Sequence, residues 1–568
     1  MDITVSELLA RFIERLGIRH IFGVPGAHIL PVYDALFTSP VETVLAKHEQ
    51  GAAFMAGGYA RAGGGIGACI TTAGPGATNL VTGIANAYAD KLPVLVITGE
   101  TPTYIFGKGG LQESSGEGGS IDQVALFKGI TRYNKIVERT DYLENVLNQA
   151  ARILLSEQPG PVLLSFPFNL QKETVAADLL ERLPRPNRPR GEGHCAEPGR
   201  ALAESILGAR QPVIVAGHGC LRANAQAQVE RLSRLLNIPV ATSLKAKGVI
   251  DETSPLALGS LGVTSSGQAY RHIVEQADLL VFLGASFNER TSYLWEDKLL
   301  AGKRIVQVDN DPAQLEKVFR ADLAIHGDLR VVLDGALACL AEHGGDDCNH
   351  PGDHPGDFDR LSEEIGRARA SVGKDYALFQ SGFALVEHFF RRLEEHFPAD
   401  VAVFDDNMIF AQNFYRVGGG NRYYPNSGIS SLGHAIPAAI GAQFAARGAG
   451  ATRPTFAILG DGGFQMCGFE LMTAVNTGIP LNVVLFNNGT MGLIRKNQHQ
   501  QYGQRFTSCD FVNPDFRLLA QSFGLGYRRV GDAADIDALF TEVDLAGGIN
   551  LIDIVLDKNL FPNYSSRR

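Results

Sequence analysis

Short continuous runs of Val, Ile and Leu, separated by segments of helical periodicity, recur along the whole chain and leave few folds open to it. They are VLVIT (94–98), PVLLSF (161–166), PVIVAG (212–217), LLVFLG (279–284), RIVQVD (304–309), FAILGD (456–461) and NVVLFN (482–487). A strand apolar on both faces must be covered on both faces, which a parallel sheet between two layers of helix provides. Two stretches, 184–200 and 343–357, are rich in Pro, Gly and charge and carry almost nothing apolar, so they cannot join a core. They cut the 568 residues into thirds. The predicted fold class is therefore α/β, with three doubly wound parallel-sheet domains spanning 1–180, 196–342 and 358–568. No repeat is visible, which sets solenoids and propellers aside.

Charge narrows the partners. Lys plus Arg number 51 against 61 Asp plus Glu, a formal charge of −10, and no basic run is longer than about a pair. Such a chain offers no electrostatic footprint for nucleic acid or for an anionic membrane. The uncharged stretches 62–89 and 428–446 are threaded with Gly, Pro, Thr, Ser and Asn, so neither satisfies its backbone in lipid as a plain helix. Seven cysteines, at 69, 195, 220, 339, 348, 467 and 509, form no CxxC pair and are odd in number. Reduced thiols and a cytoplasmic setting are expected. At the start, Leu8, Leu9, Phe12, Ile13 and Leu16 repeat at helical spacing behind a Thr4/Glu7 capping box. That predicts an amphipathic helix ending near Gly17, not a signal peptide.

In doubly wound sheets, ligands bind beyond the carboxyl ends of strands. After FAILG comes Gly460-Asp461-Gly462-Gly463, and 27 residues beyond Asp461, after the next strand, come Asn488, Gly489, Thr490 and Met491. Asp461 offers a carboxylate, Asn488 a side-chain carbonyl and Thr490 a main-chain carbonyl. This hard oxygen set leaves about half of an octahedron for phosphate oxygens and water, which suits Mg²⁺. Gly462 and Gly463 present no side chain to a phosphate, and a helix predicted to start near Phe464 points its free N–H groups at it. Each motif alone is also an ordinary turn; together, on successive strand ends, they predict a crevice for a Mg²⁺-bridged diphosphate.

With these motifs the chain resembles thiamine diphosphate enzymes of the acetolactate synthase, pyruvate oxidase and benzoylformate decarboxylase superfamily. The resemblance runs nearly end to end, from FGVPGAHILPVYDAL through SLGHAIPAAIGAQFA to GDGGF. It implies pyrimidine-binding, central and diphosphate-binding domains in that order. It also implies that Asp461, Asn488 and the Thr490 carbonyl bind the metal, with Gly462, Gly463, Asn488 and Met491 at the cofactor. Glu49, in KHEQGAA after VETVLA, reads from spacing alone as a carboxylate favouring a helix N-terminus. By resemblance it is the acid that hydrogen-bonds N1′ of the aminopyrimidine and activates the cofactor. Leu432 matches the wedge under the folded cofactor, and Gly74 in TTAGPGATN (71–79) the loop behind the pyrimidine ring. The resemblance further implies that each site draws on two subunits, so that a homodimer is the minimum and a homotetramer the expected assembly.

The substrate side is less determined. The string FGxxGAH is similar to benzaldehyde lyase, in which that His and a later Gln relay protons; here they are His28 and Gln112. The Gly-rich segment 113–120 reads as a surface loop or as a flap. Asn497 stands where anabolic acetolactate synthases commonly have Trp, and Phe54 where they often have His. In the centre, 217–219, 284–290 and 309–311 resemble the segments that hold FAD in acetolactate synthase and pyruvate oxidase; relatives hold FAD, ADP or nothing there. The function implied is a carboligase or decarboxylase acting on 2-oxo acids, acetolactate synthase-like. The alternatives are a benzaldehyde lyase-type hydroxyketone lyase acting on aldehydes or ketones, with His28 as the proton carrier, and a flavin-dependent oxidase similar to pyruvate oxidase.

Overall fold

The computed structural model describes residues 2–184, 196–343, 360–367, 381–426 and 428–562. Three six-stranded parallel sheets carry the chain. The first runs Glu42–Leu45, His20–Val24, Gly67–Thr71, Val94–Glu100, Val162–Pro167, Tyr133–Ile136. The second runs Ala257–Ser260, Val240–Thr242, Pro212–Ala216, Leu279–Leu283, Arg304–Asp309, Leu323–His326. The third runs Arg422–Pro425, Ala402–Asp405, Thr455–Gly460, Leu481–Asn487, Ile549–Val555, Gly526–Val530. Each apolar run of the sequence forms a strand, because helices cover both faces: Val94 to Ile97 and Leu481 to Leu485, Asn482 included, are all buried.

The first and third sheets share one strand order, the outer two strands on each side having been added in the same sequence. In each, the order reverses at one point, which is where sheets of this kind bind ligands. In the first sheet it lies between the ends of His20–Val24 and Gly67–Thr71; in the third, between those of Ala402–Asp405 and Thr455–Gly460. The second sheet reverses between Pro212–Ala216 and Leu279–Leu283.

First and third domains meet along two helices, Glu49–Tyr59 and Ala435–Gly448. The approach is close enough to require glycine. A Cβ on Gly441 would lie 1.9 Å from the Met55 carbonyl oxygen, and one on Gly58 would lie 2.1 Å from that of Ala438.

The opening helix is Val5–Arg15, with the Thr4/Glu7 capping box formed and Gly17 at φ 74° beyond its end. Other details depart from expectation. The helix Ala196–Leu207 begins inside the stretch read as a linker, of which 185–195 lie outside the described residues. Residues 360–367 pack onto the central sheet through Leu361 and Ile365, so the third core takes over only later than 358, in the helix Ala384–His396. A two-stranded antiparallel pair, Asp2–Thr4 with Thr174–Ala176, was too short to show in the sequence pattern. Cys69, Cys220, Cys339, Cys467 and Cys509 are buried as thiols; Cys195 and Cys348 lie outside the described residues. Among the described residues no helix is long and apolar enough to cross a membrane.

Candidate active site

The two motifs read as a diphosphate site come together at the ends of the neighbouring strands Thr455–Gly460 and Leu481–Asn487 of the third sheet. Asp461 is buried at the tip of Thr455–Gly460 and begins the helix Asp461–Cys467, whose N-cap is Gly460. This corrects the expected start near Phe464: Gly462 and Gly463 lie in the first turn, not before it. Their lack of side chains has causes beyond a phosphate. A Cβ on Gly462 would lie 2.4 Å from the sulfur of Met491, and one on Gly463 2.8 Å from Asp406 Oδ2.

Asp461 Oδ2 accepts from the amides of Asn488 (3.1 Å) and Gly489 (2.6 Å) and from Asn513 Nδ2 (2.8 Å), while Oδ1 accepts from Gly462 N at 3.0 Å. Strand pairing of Gly460 with Phe486 thus becomes a bridge between the two motifs. Thr490 N donates to Asn488 Oδ1 at 3.2 Å and its hydroxyl to the Cys509 carbonyl at 2.9 Å, which fixes the turn. Burial pushes the Asp461 carboxyl up, and the four donors only partly offset it. All four are neutral amides, so the charge is left for a cation to balance. The donor set of Asp461, Asn488 and the Thr490 carbonyl fits Mg²⁺.

Leu432 is half-buried in the turn before Ala435–Gly448, and Asp406 holds that turn from below. Its Oδ2 accepts from Gly433 N at 2.7 Å; its Oδ1 accepts from His434 N and Asn426 Nδ2, both at 3.1 Å. Asp406 follows the strand on the other side of the switch point. Burial raises its carboxyl to about 6.

The second half-site stands on the first sheet. Glu49 opens the helix Glu49–Tyr59, capped by the His48 side chain, which accepts from Gln50 N at 3.1 Å. It is half-buried, and Asn79 Nδ2 donates to its Oε2 at 2.9 Å. Gly74, at φ 59°, caps the short helix Pro75–Thr78, and Asn79 ends it.

His28 and Gln112, distant in sequence, come together: His28 Nδ1 is 3.2 Å from Gln112 Oε1, which also accepts from Thr72 Oγ1 at 3.2 Å. The His28 carbonyl accepts from Gln171 Nε2 at 2.7 Å, and Gly99 leaves room for it. Residues 113–120 form a tight hydrogen-bonded excursion. Glu113 accepts from Gly107 N (2.6 Å), Gly110 N (2.9 Å) and Ser115 Oγ (2.8 Å), led by the Gly107 bond, and these hold its carboxyl below the usual range. Phe54 is buried edge-on to His434, with ring centroids 5.2 Å apart.

Asn79, Asn513, Thr72 and Asp406 were not singled out in the sequence. Thr72 and Asn79 belong to the segment 71–79, so their place was on view but their partners were not; Asn513 and Asp406 carry no local signal. The three central segments do converge. His218, Gly219, Gly284, Arg290, Asp309 and Asn310 line one cleft of about 470 Å³ at the switch point of the second sheet.

Known proteins resemble this chain along nearly its whole length. Models of the thiamine pyrophosphate enzyme N-terminal TPP binding domain, central domain and C-terminal TPP binding domain match residues 3–126, 200–335 and 406–554. A probable acetolactate synthase large subunit of Methanocaldococcus jannaschii is 33% identical over 97% of this chain and 92% of its own. An acetolactate synthase of Mycobacterium bovis is 33% identical over 98% and 88%. A probable 2-ketoarginine decarboxylase of Pseudomonas aeruginosa is 30% identical over 97% and 94%.

Proposed function

Because the chain belongs to the thiamine pyrophosphate enzyme family, we propose that it is a Mg²⁺-dependent, acetolactate synthase-like carboligase that decarboxylates a 2-oxo acid and joins the remaining fragment to a second carbonyl compound. The observation that carries this reading is the pairing of Asp461 with the Asn488–Gly489 amides at two adjacent strand ends. Asp461, Asn488 and the Thr490 carbonyl would hold the metal, and Gly462 and Met491 would flank the diphosphate. Leu432, on the turn fastened by Asp406, would support the bend of the cofactor. The chemistry that bound thiamine diphosphate supplies is nucleophilic addition to a carbonyl carbon and acceptance of the electron pair left by CO₂. Glu49 holds a proton at N1′ of the pyrimidine, and Asn79 fixes the carboxyl that does so. His28, oriented through Nδ1 by Gln112, moves a proton to or from the hydroxyl of the bound substrate.

The site closes, in this reading, against a second copy, as a homodimer or a homotetramer. Exposed apolar side chains flank both halves: Leu111 precedes Gln112, Met466 and Phe469 follow Asp461, and Val512, 94% exposed, precedes Asn513. A second copy seated on the site would cover them. The central cleft would take a nucleotide, FAD or ADP, and the buried thiols suit the cytoplasm.

A second reading, a hydroxyketone lyase with His28 as proton carrier, rests on the His28–Gln112 contact alone. Incubation with pyruvate alone, with benzoin and with mixed aldehydes, followed by product analysis, separates the two. Acetolactate from pyruvate supports the first; aldehyde from benzoin with no product from pyruvate replaces it by the second. A yellow protein bleached by pyruvate would instead indicate an oxidase.

A further inference from the structure

Glu100 ends the strand Val94–Glu100 and is fully buried, yet the chemistry above gives it no role. One of its oxygens is heavily used. Oε1 accepts from Thr101 N (2.7 Å), Thr101 Oγ1 (3.1 Å) and Ser114 N (3.1 Å). Among the described residues, Oε2 is buried with no hydrogen-bond partner. An ionised carboxylate with one bare oxygen is expensive in a protein interior, whereas a neutral acid tolerates it. Burial raises the pKa of this carboxyl, in the same sense.

What Glu100 holds is the corner beneath the relay. Ser114 is itself buried, and its hydroxyl accepts from Gly74 N at 2.9 Å and donates to the Gln112 carbonyl at 3.0 Å. That corner is strained at Gln112, whose φ is 60°, and Gly74, at φ 59°, allows the close approach, since a Cβ there would lie 3.0 Å from Gln112 Cβ. A non-glycine residue in the left-handed region persists only where its surroundings over-determine it. Here the surroundings are Ser114 and, behind it, Glu100.

We propose that Glu100 is the positioning residue of the His28–Gln112 pair, acting through Ser114 to fix the backbone of Gln112 so that its side-chain oxygen meets His28 Nδ1. The inference rests on the reading of His28 and Gln112 as a proton relay. Since Glu100 serves as an accepting oxygen, an amide replaces it and an alkyl group does not.

The test has two arms. In the first, amide hydrogen exchange is compared in the cofactor-free full chain for wild type, Glu100→Leu, Glu100→Gln and Ser114→Ala. Glu100→Leu is expected to speed exchange in peptides covering 72–76 and 110–116 by about ten-fold or more, and Glu100→Gln to restore most of the protection. Unchanged exchange in Glu100→Leu overturns the proposal. In the second arm, kcat, KM and the pH profile with pyruvate are measured for the same variants, His28→Ala and His28→Ala/Glu100→Leu. Expected are losses in kcat of about 100-fold for His28→Ala and about ten-fold for Glu100→Leu, with KM and thiamine diphosphate content near wild type. The pH profile of Glu100→Leu should shift, and the double variant should be no slower than His28→Ala. Full activity of His28→Ala overturns the relay reading and this role with it. An impaired His28→Ala beside an unimpaired Glu100→Leu, or fully multiplicative losses in the double variant, overturns the Glu100 role alone. Should Glu100→Leu fail to fold, Ser114→Ala decides: the same faster exchange and shifted profile support the proposal, and wild-type behaviour overturns it.

Discussion

Asn79 donates a hydrogen bond of 2.9 Å to Glu49 Oε2, joining the loop behind the predicted pyrimidine position to the acid predicted to act on it. The bond fixes the carboxyl at the start of its helix through Oε2, and in the proposed mechanism Oε1 would face the cofactor. Glu49→Gln keeps the shape, and an amide still pairs with Asn79, but it cannot exchange a proton with N1′. Turnover is expected to fall by at least about 100-fold while the cofactor stays bound. The check is activity beside thiamine diphosphate content after gel filtration; near-normal turnover would remove Glu49 from the mechanism.

Asp461 carries both the predicted metal bond and the link between two strand ends, so Asp461→Ala is expected to behave differently from the Glu49 variant. It removes the one anionic ligand, and Mg²⁺ and thiamine diphosphate should wash off together. Retention of both through gel filtration would place the metal elsewhere.

His434 carries a pH prediction. Burial depresses its pKa to about 3 from an ordinary 6.5, so the folded chain keeps it neutral while the unfolded chain protonates it. Its contribution to stability is therefore present above pH 6.5 and is lost as pH falls toward 3. The loss runs at up to about 1.4 kcal/mol per pH unit. Asp405 and Asp406, raised to about 7 and about 6 by burial, act in the opposite sense over part of that range. The total curve therefore conceals the effect, and the difference between wild type and His434→Leu isolates it. Denaturant unfolding at several pH values should show wild type losing ground to the variant as pH drops; a constant difference would mean that His434 titrates normally in the fold.

Gly441→Ala pits local propensity against packing. Alanine in a helix interior is worth about 1 kcal/mol over glycine, but this Cβ would lie 1.9 Å from the Met55 carbonyl oxygen. The helices must part, at about 1–3 kcal/mol or more. A lowered Tm is expected, and an unchanged or raised one would show that the two helices do not meet as described.

Strands and their order of appearance were legible because parallel sheets demand continuous apolar runs, and the motifs proposed to carry the chemistry were legible because they sit at strand ends, where sequence neighbours are spatial neighbours. Asp461, Asn488, Thr490 and Glu49 all belong to this class. Asn513 does not: it reaches Asp461 and Asn487 from a loop whose path is set by tertiary packing. The His28–Gln112 pair was found only as two separate strings, since its contact depends on two loops meeting over the switch point. Helix starts misled where glycine was involved. Gly462 and Gly463 are poor helix formers, yet the first turn runs through them because Met491 and Asp406 leave space for nothing larger. Residues 360–367 join the central core through Leu361 and Ile365, apolar positions too few to assign from pattern.

The most direct test of the central claim, that one site takes its acid and its metal crevice from different copies, is complementation between two inactive variants. Glu49→Gln and Asp461→Ala proteins, differently tagged, are unfolded together, refolded with Mg²⁺ and thiamine diphosphate, and assayed as mixed assemblies. Sites shared between copies predict that the mixture regains about one quarter of wild-type activity, since each mixed dimer holds one intact site. No activity above that of the separate variants, in mixed dimers shown to have formed, would contradict the account.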